Sequence, residues 1–269
     1  MKRLIAYFIL LFIIIFSPNT SFSMDEGDFA IMLIKARKGD VRAEYAICDH
    51  YVKQYDYKSA FEWCRKAANK HDPDAQYTLG VMYANGQGVH KNSSEAVTWY
   101  KKAADQDHVK AEYNLGLMYE NGKGVIQNSE KAFAWFKKAA EKGDAQAQYN
   151  VGAMYGNGDG VDINYKQEYI WFKKSAEQGL TDAQYNLGLL YDKGEGVHQD
   201  YNKAFFWYKQ AADKGHADAQ YNIAVLYHKG NGVPMNYLLA KEYFGKSCDS
   251  GSDKACMRYK QFNVRDVKE

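Results

Sequence analysis

The chain has 269 residues, of which 25% are charged, 46% hydrophobic and only 3 proline. Those proportions exclude a collagen, a polar disordered tail and a polytopic membrane protein. The formal charge is +2, and without Lys2 and Arg3 it falls to 33 basic against 33 acidic residues, which leaves no basic excess to hold nucleic acid or an anionic membrane.

The first residues read as an address. Lys2 and Arg3 precede an uncharged apolar run from Leu4 to Phe16, then the helix-breaking Ser17-Pro18-Asn19-Thr20 and the small-x-small triplet Ser21-Phe22-Ser23. This layout predicts a secretory signal peptide over residues 1–23, cut near Ser23. The apolar run is short of the roughly 20 residues that span a bilayer as helix. The alternative is an uncleaved anchor, the one case that would make a membrane a partner. Either way the body is expected in the periplasm or outside the cell.

Residues 24–42 predict an N-terminal capping helix and 43–74 a degenerate repeat, in which Ala43-Glu44-Tyr45 stands 32 residues before Ala75-Gln76-Tyr77. Five full repeats at a constant step of 36 fill residues 75–254. They read DAQYTLGVMYANGQGV from Asp74, KAEYNLGLMYENGKGV from Lys110, QAQYNVGAMYGNGDGV from Gln146, DAQYNLGLLYDKGEGV from Asp182 and DAQYNIAVLYHKGNGV from Asp218. Trp63, Trp99, Trp135, Trp171 and Trp207 keep the same step. Residues 255–269 predict a C-terminal capping helix and tail.

At about 100° per residue, Ala75, Leu79, Gly80, Met82 and Tyr83 share one side of a first helix, with Gln76 squeezed near its edge. Tyr77, Thr78, Val81, Ala84 and Asn85 make a second, partly polar face. Gly86-x-Gly88 ends this helix, because glycine accepts the left-handed conformation. Asn92, Asn128, Asn164, Asp200 and Asn236 are the N-caps expected of the second helices. Ala96, Trp99, Tyr100, Ala103 and Ala104 form an apolar stripe. That helix ends near Gly143, Gly179, Gly215 or Gly251, with Asp107 in their place in the first full repeat. Such short helices cannot bury their faces alone, so the fold is expected to be all-α, a solenoid of antiparallel helix pairs with about six units plus end caps.

The pattern Ala-x-Tyr-x-Leu-Gly-x-Met-Tyr, Gly-x-Gly-Val, Ala-x-x-Trp-Tyr-x-Lys-Ala-Ala resembles the Sel-1-like repeat, a relative of the tetratricopeptide repeat, over about residues 28 to 262. Glu168, where Ala96 has its place, and Ala224, in the place of Gly80, depart from it. The resemblance implies a right-handed superhelix that serves as an adaptor for other proteins, and no catalytic residue. It also bears on the four cysteines. The spacing of Cys248 and Cys256 is similar to bridged pairs in bacterial cysteine-rich proteins built on this repeat. Cys48 and Cys64 take the places of Gly80 and Tyr100, facing each other across one unit. Two disulfides, Cys48–Cys64 and Cys248–Cys256, are therefore expected, with free buried thiols as the alternative for the first pair.

The expected partner-binding residues are Tyr77, Thr78, Tyr113, Asn114, Tyr149, Asn150, Tyr185, Asn186, Tyr221 and Asn222. In the related superhelix their face lines the concave groove, where an asparagine ladder can grip a peptide backbone and tyrosines add flat area. The competing structural reading is that these side chains satisfy neighbouring helices. Under the binding reading, removing Asn150 and Asn186 weakens capture and leaves the melting temperature unchanged.

No enzyme constellation is present. Relatives among the cysteine-rich repeat proteins have been described as penicillin-binding, which makes a β-lactam-binding or hydrolysing protein, or an envelope-sugar enzyme, the alternative. The Ser-x-x-Lys, Ser-Asp-Asn and Lys-Thr-Gly motifs of β-lactam serine enzymes are absent from the sequence. The histidines, among them His71, His90, His108, His198 and His216, lack metal-ligand spacing, so no metal and no cofactor is expected. The lysine pairs Lys101-Lys102, Lys137-Lys138 and Lys173-Lys174 read as solvated backs of the second helices. The expectation is an exported, non-enzymatic adaptor for a protein or peptide, in envelope regulation or host contact.

Overall fold

The computed structural model describes residues 25–266, so the expected signal peptide lies outside the described residues. Fourteen α-helices and no strand occur among them. They are α1 (Glu26–Arg37), α2 (Val41–Lys53), α3 (Tyr57–Asn69), α4 (Pro73–Asn85), α5 (Ser93–Ala104), α6 (Val109–Asn121) and α7 (Ser129–Glu141). There follow α8 (Ala145–Asn157), α9 (Tyr165–Glu177), α10 (Thr181–Lys193), α11 (Tyr201–Ala212), α12 (Ala217–Lys229), α13 (Tyr237–Asp249) and α14 (Asp253–Asp266). The described residues divide into two compact units, 25–106 and 107–266. Within each, every helix packs on the next, and the pairs are α2–α3 and α4–α5 in the first unit, then α6–α7, α8–α9, α10–α11 and α12–α13 in the second. This is the packing of an all-α solenoid.

Local chemistry sets the helix limits. The first helices of the full repeats end on left-handed glycines, Gly86 at φ 77° and Gly158 at φ 80° among them. Asn92, Asn128, Asn164, Asp200 and Asn236 each accept a backbone N–H at the start of a second helix. The first helices are capped as well, by Asp72, Asp144 and two histidines: His108 Nδ1 and His216 Nδ1 accept from Ala111 and Ala219, each at 3.2 Å. Leu180 starts α10 with no side-chain cap. Asp107 stands at φ 64°, in the left-handed region where later repeats carry glycine.

Within a pair, the closest contact is an aromatic ring on a glycine. A Cβ on Gly152 would come within 2.7 Å of the Phe172 ring, and one on Gly188 within 2.6 Å of Tyr208. Gly80 and Gly116 carry Tyr100 and Phe136 in the same way. Between pairs, a ring from four of the second helices meets a tyrosine of the next first helix edge-on. Phe61–Tyr83, Phe133–Tyr155, Tyr169–Tyr191 and Phe205–Tyr227 lie at centroid distances of 5.1–5.7 Å. Such pairs are each worth about 0.5–1.5 kcal/mol beyond their buried area. Trp63, Trp99, Trp135 and Trp207 are half-buried, and Trp171 is buried. Lys66, Lys102, Lys138 and Lys174 lie over the rings of Trp63, Trp99, Trp135 and Trp171 at 3.8–4.2 Å, so one lysine of each back-facing pair is a packing element as well as a solvated charge.

Sulfur closes the two ends. Cys48 and Cys64, both fully buried, are bonded with Cα atoms 5.1 Å apart. Cys248 and Cys256 are bonded across the α13–α14 turn with Cα atoms 4.6 Å apart.

Candidate functional site

The second face of the first helices carries the residues read from the sequence as a ladder. In the second unit these are Tyr113 and Asn114 on α6, Tyr149 and Asn150 on α8, Tyr185 and Asn186 on α10, and Tyr221 and Asn222 on α12, all half-buried. The structure couples them across repeats rather than within one. Asn186 Nδ2 donates to Tyr149 Oη at 3.4 Å and to the Asp182 carbonyl at 3.0 Å. Asn150 stands in the same register to Tyr113, and Asn222 to Tyr185, and each lowers its tyrosine's pKa against the effect of burial. In the first unit Thr78 takes the place of asparagine beside Tyr45, which precedes the ladder as it was read from the sequence. Each tyrosine also leans on a ring of its own second helix. Tyr77–Tyr100, Tyr113–Phe136, Tyr149–Phe172 and Tyr185–Tyr208 are tilted pairs at 5.4–5.9 Å.

These contacts have electrostatic consequences. Burial, followed by the nearby aspartates Asp144, Asp182 and Asp218, raises the hydroxyl pKa of Tyr113, Tyr149 and Tyr185, so all three stay protonated near neutrality. Burial and the Asp192 carboxylate, which accepts from its hydroxyl at 3.1 Å, push Tyr208 up further. Under the structural reading of this face, removing Asn186 costs stability, about 1 kcal/mol for the lost bond to Tyr149.

Sequence reasoning missed a buried polar row on the opposite edge of the same helices. Gln76 is 1% exposed; its Nε2 donates to the Ala68 carbonyl, and its Oε1 accepts from Gln106 at 2.8 Å. Gln148 and Gln178 repeat the arrangement at 2.8 Å. Where the buried residue is glutamate, the partner is lysine: Lys70 meets Glu44 and Lys142 meets Glu112, both at 2.8 Å. Part of the signal was present in the sequence: Lys142 stands 30 residues after Glu112, as Gln106 does after Gln76 and Gln178 after Gln148, while Gln184 and Gln220 have no glutamine at that step and their Oε1 atoms are buried without a partner. A wheel drawn one helix at a time does not show it.

Repeat 145–180 departs from its copies at Glu168. This residue replaces an alanine that is fully buried in five other second helices, and its carboxyl lies against the backbone of Gly156. Glu168 Oε2 is buried with no hydrogen-bond partner. Burial, then Glu195, raise its pKa to about 7, against the opposing pull of Lys193.

The profile of the Sel1 repeat matches residues 47–72, 73–108, 109–144, 145–180, 181–216 and 217–252. The chain belongs to the Sel1 repeat family. A Sel1 repeat protein from Oxalobacter formigenes is 35% identical, with TM-score 0.73 over 80% of this chain and 86% of that one. A protective antigen present in uropathogenic Escherichia coli strains, with the same fold, is 34% identical with TM-score 0.82 over 86% of this chain, which spans half of that protein. A chitin synthase regulator of Saccharomyces cerevisiae is 37% identical over 67 residues, a tenth of its length. Sel1 repeat proteins are typically non-enzymatic scaffolds that bind protein partners. No group of histidine, cysteine and acidic residues able to hold a metal ion occurs among the described residues, and no described helix is long and apolar enough to cross a membrane.

Proposed function

We propose that this Sel1 repeat chain is an exported, non-enzymatic adaptor that takes an extended segment of a partner protein along the ladder face of either unit. The observation that supports it best is the half-buried Tyr–Asn row. The amide that holds a neighbouring tyrosine spends its N–H groups, as Asn186 does, and its Oδ1 is left to accept from a peptide N–H. The tyrosine rings supply flat area at low entropic cost. The partner residues are therefore Tyr77, Thr78, Tyr113, Asn114, Tyr149, Asn150, Tyr185, Asn186, Tyr221 and Asn222. Export is supported by the signal-peptide layout of residues 1–23 and by two disulfides, which persist in oxidising compartments. Likeness to a protective antigen favours host contact over envelope regulation as the setting.

A photoreactive phenylalanine analogue placed at Asn114, or at Lys173 on the back of α9, tests the face. Adducts from the native envelope are expected at the first position only. Equal yields from both positions, or none from the first, overturn the ladder reading. Turnover of nitrocefin by the pure protein would overturn the non-enzymatic one.

A further inference from the structure

The repeats are close copies, so a residue that departs from its copies and leaves a buried polar atom unsatisfied needs its own explanation. At Glu168 two departures meet. The equivalent residues Ala60, Ala96, Ala132, Ala204 and Ala240 are fully buried small side chains on their second helices. Gly156 stands where Ala84, Glu120, Asp192 and His228 stand in the other repeats. A Cβ on Gly156 would come 2.6 Å from the Glu168 carboxyl carbon, so any other residue there would evict the carboxyl. The glycine is thus a cradle shaped for a carboxyl group that no donor holds: Glu168 Oε2 is buried and unpartnered.

We propose that the Gly156–Glu168 contact is a proton-operated latch at the end of the ladder face, seated against α8 when the carboxyl is neutral and released toward solvent when it ionises. The physical reason is desolvation. A neutral carboxyl tolerates an apolar cradle, whereas a carboxylate without a donor does not. The surroundings reinforce this. Helix α8 carries no charged residue. From the side of α10 the facing groups are Lys193, at its end, and Glu195, just beyond it. Lys193 is 3.6 Å from Glu195 and so is shared with a competing carboxylate. The titration point of about 7 places the change near neutrality rather than in acid. Release adds a negative charge at the Gly156 end of that face of α8, so the latch would regulate the ladder face proposed above. It rests on that reading for its meaning and not for its test.

The test uses the free, full-length chain, so its outcome is separate from whether the ladder binds a peptide. The 13C shift of the Glu168 carboxyl is followed by NMR from pH 4 to 9, together with the protection of the Gly156 amide, its exchange rate referred to the intrinsic base-catalysed rate at each pH. The expected result is a midpoint near 7, with protection at Gly156 falling several-fold through the same interval. Glu168→Gln should abolish that pH dependence of the protection and leave it high, and Glu168→Ala, which copies the other repeats, guards against a folding defect. A midpoint near 4.5, or protection at Gly156 that ignores pH while the carboxyl titrates near 7, overturns the latch.

Discussion

The pairs α2–α3 and α6–α7 solve one packing problem with different chemistry. In α6–α7 the helices meet where the Phe136 ring lies on Gly116, and in α2–α3 Cys48 and Cys64 occupy those two places and are bonded. The ring closes the contact by burying apolar area, which acts in the folded state. The disulfide restricts the unfolded chain instead. A terminal repeat has fewer neighbours to supply area, so a constraint that does not depend on area suits it. The pair α12–α13 shows a third solution. Ala224 adds the Cβ that glycine avoids, and the Phe244 ring stands at 65° to Tyr221 where the other such pairs lie at 33–50°.

The comparison is broken most strongly by removing the ring. Phe136→Ala should cost about 3–5 kcal/mol, measured by urea denaturation, because Gly116 offers nothing to refill the space. Removing both sulfurs with Cys48→Ala and Cys64→Ala should cost about 3 kcal/mol for a closed loop of this length. Wild type in reductant should then melt with the variant; a gap between the two would show that the thiols pack better than alanines.

A smaller effect separates the glutamate–lysine pairs from the glutamine pairs. Lys142→Ala leaves Glu112 buried without its cation and should cost about 2 kcal/mol. Glu112→Gln combined with Lys142→Gln copies the Gln148–Gln178 pair and should cost under about 1 kcal/mol. If the double variant is the less stable, the pairs are not interchangeable units.

The smallest effect depends on pH. The folded Glu168 titrates near 7 and the unfolded one near 4.5, so its burden on stability is absent below the lower value, grows between the two and is complete above the upper. Glu168→Ala should therefore leave acid stability unchanged and raise the melting temperature above pH 7. The gain should be on the order of 1 kcal/mol once the partial exposure of the carboxyl is discounted. A constant gain across pH would assign the effect to helix propensity instead.

Much of this was legible without coordinates. The step of 36, the glycine stops, the Asn and Asp caps of the second helices and the small packing faces are local or periodic, and each has a cause within a few residues of itself. The Cys48–Cys64 bond was legible in a weaker sense, because superposing repeats puts the two cysteines on a contact that other repeats fill with Gly and a ring. The glutamines were legible only as an anomaly: Gln76 fell near an apolar face, and its partner, Gln106, lies on another helix.

The sequence by itself determined that this protein is a row of similar helix pairs, because helix periodicity and capping are properties of adjacent residues. Only the tertiary structure decided that Tyr149 bonds the asparagine of the following repeat, that Lys142 reaches back to Glu112 and that Glu168 lies on Gly156. Those contacts depend on the offset and rotation of one helix against another. That geometry is fixed by how side chains of several helices pack at once, and a pattern read along one helix does not contain it.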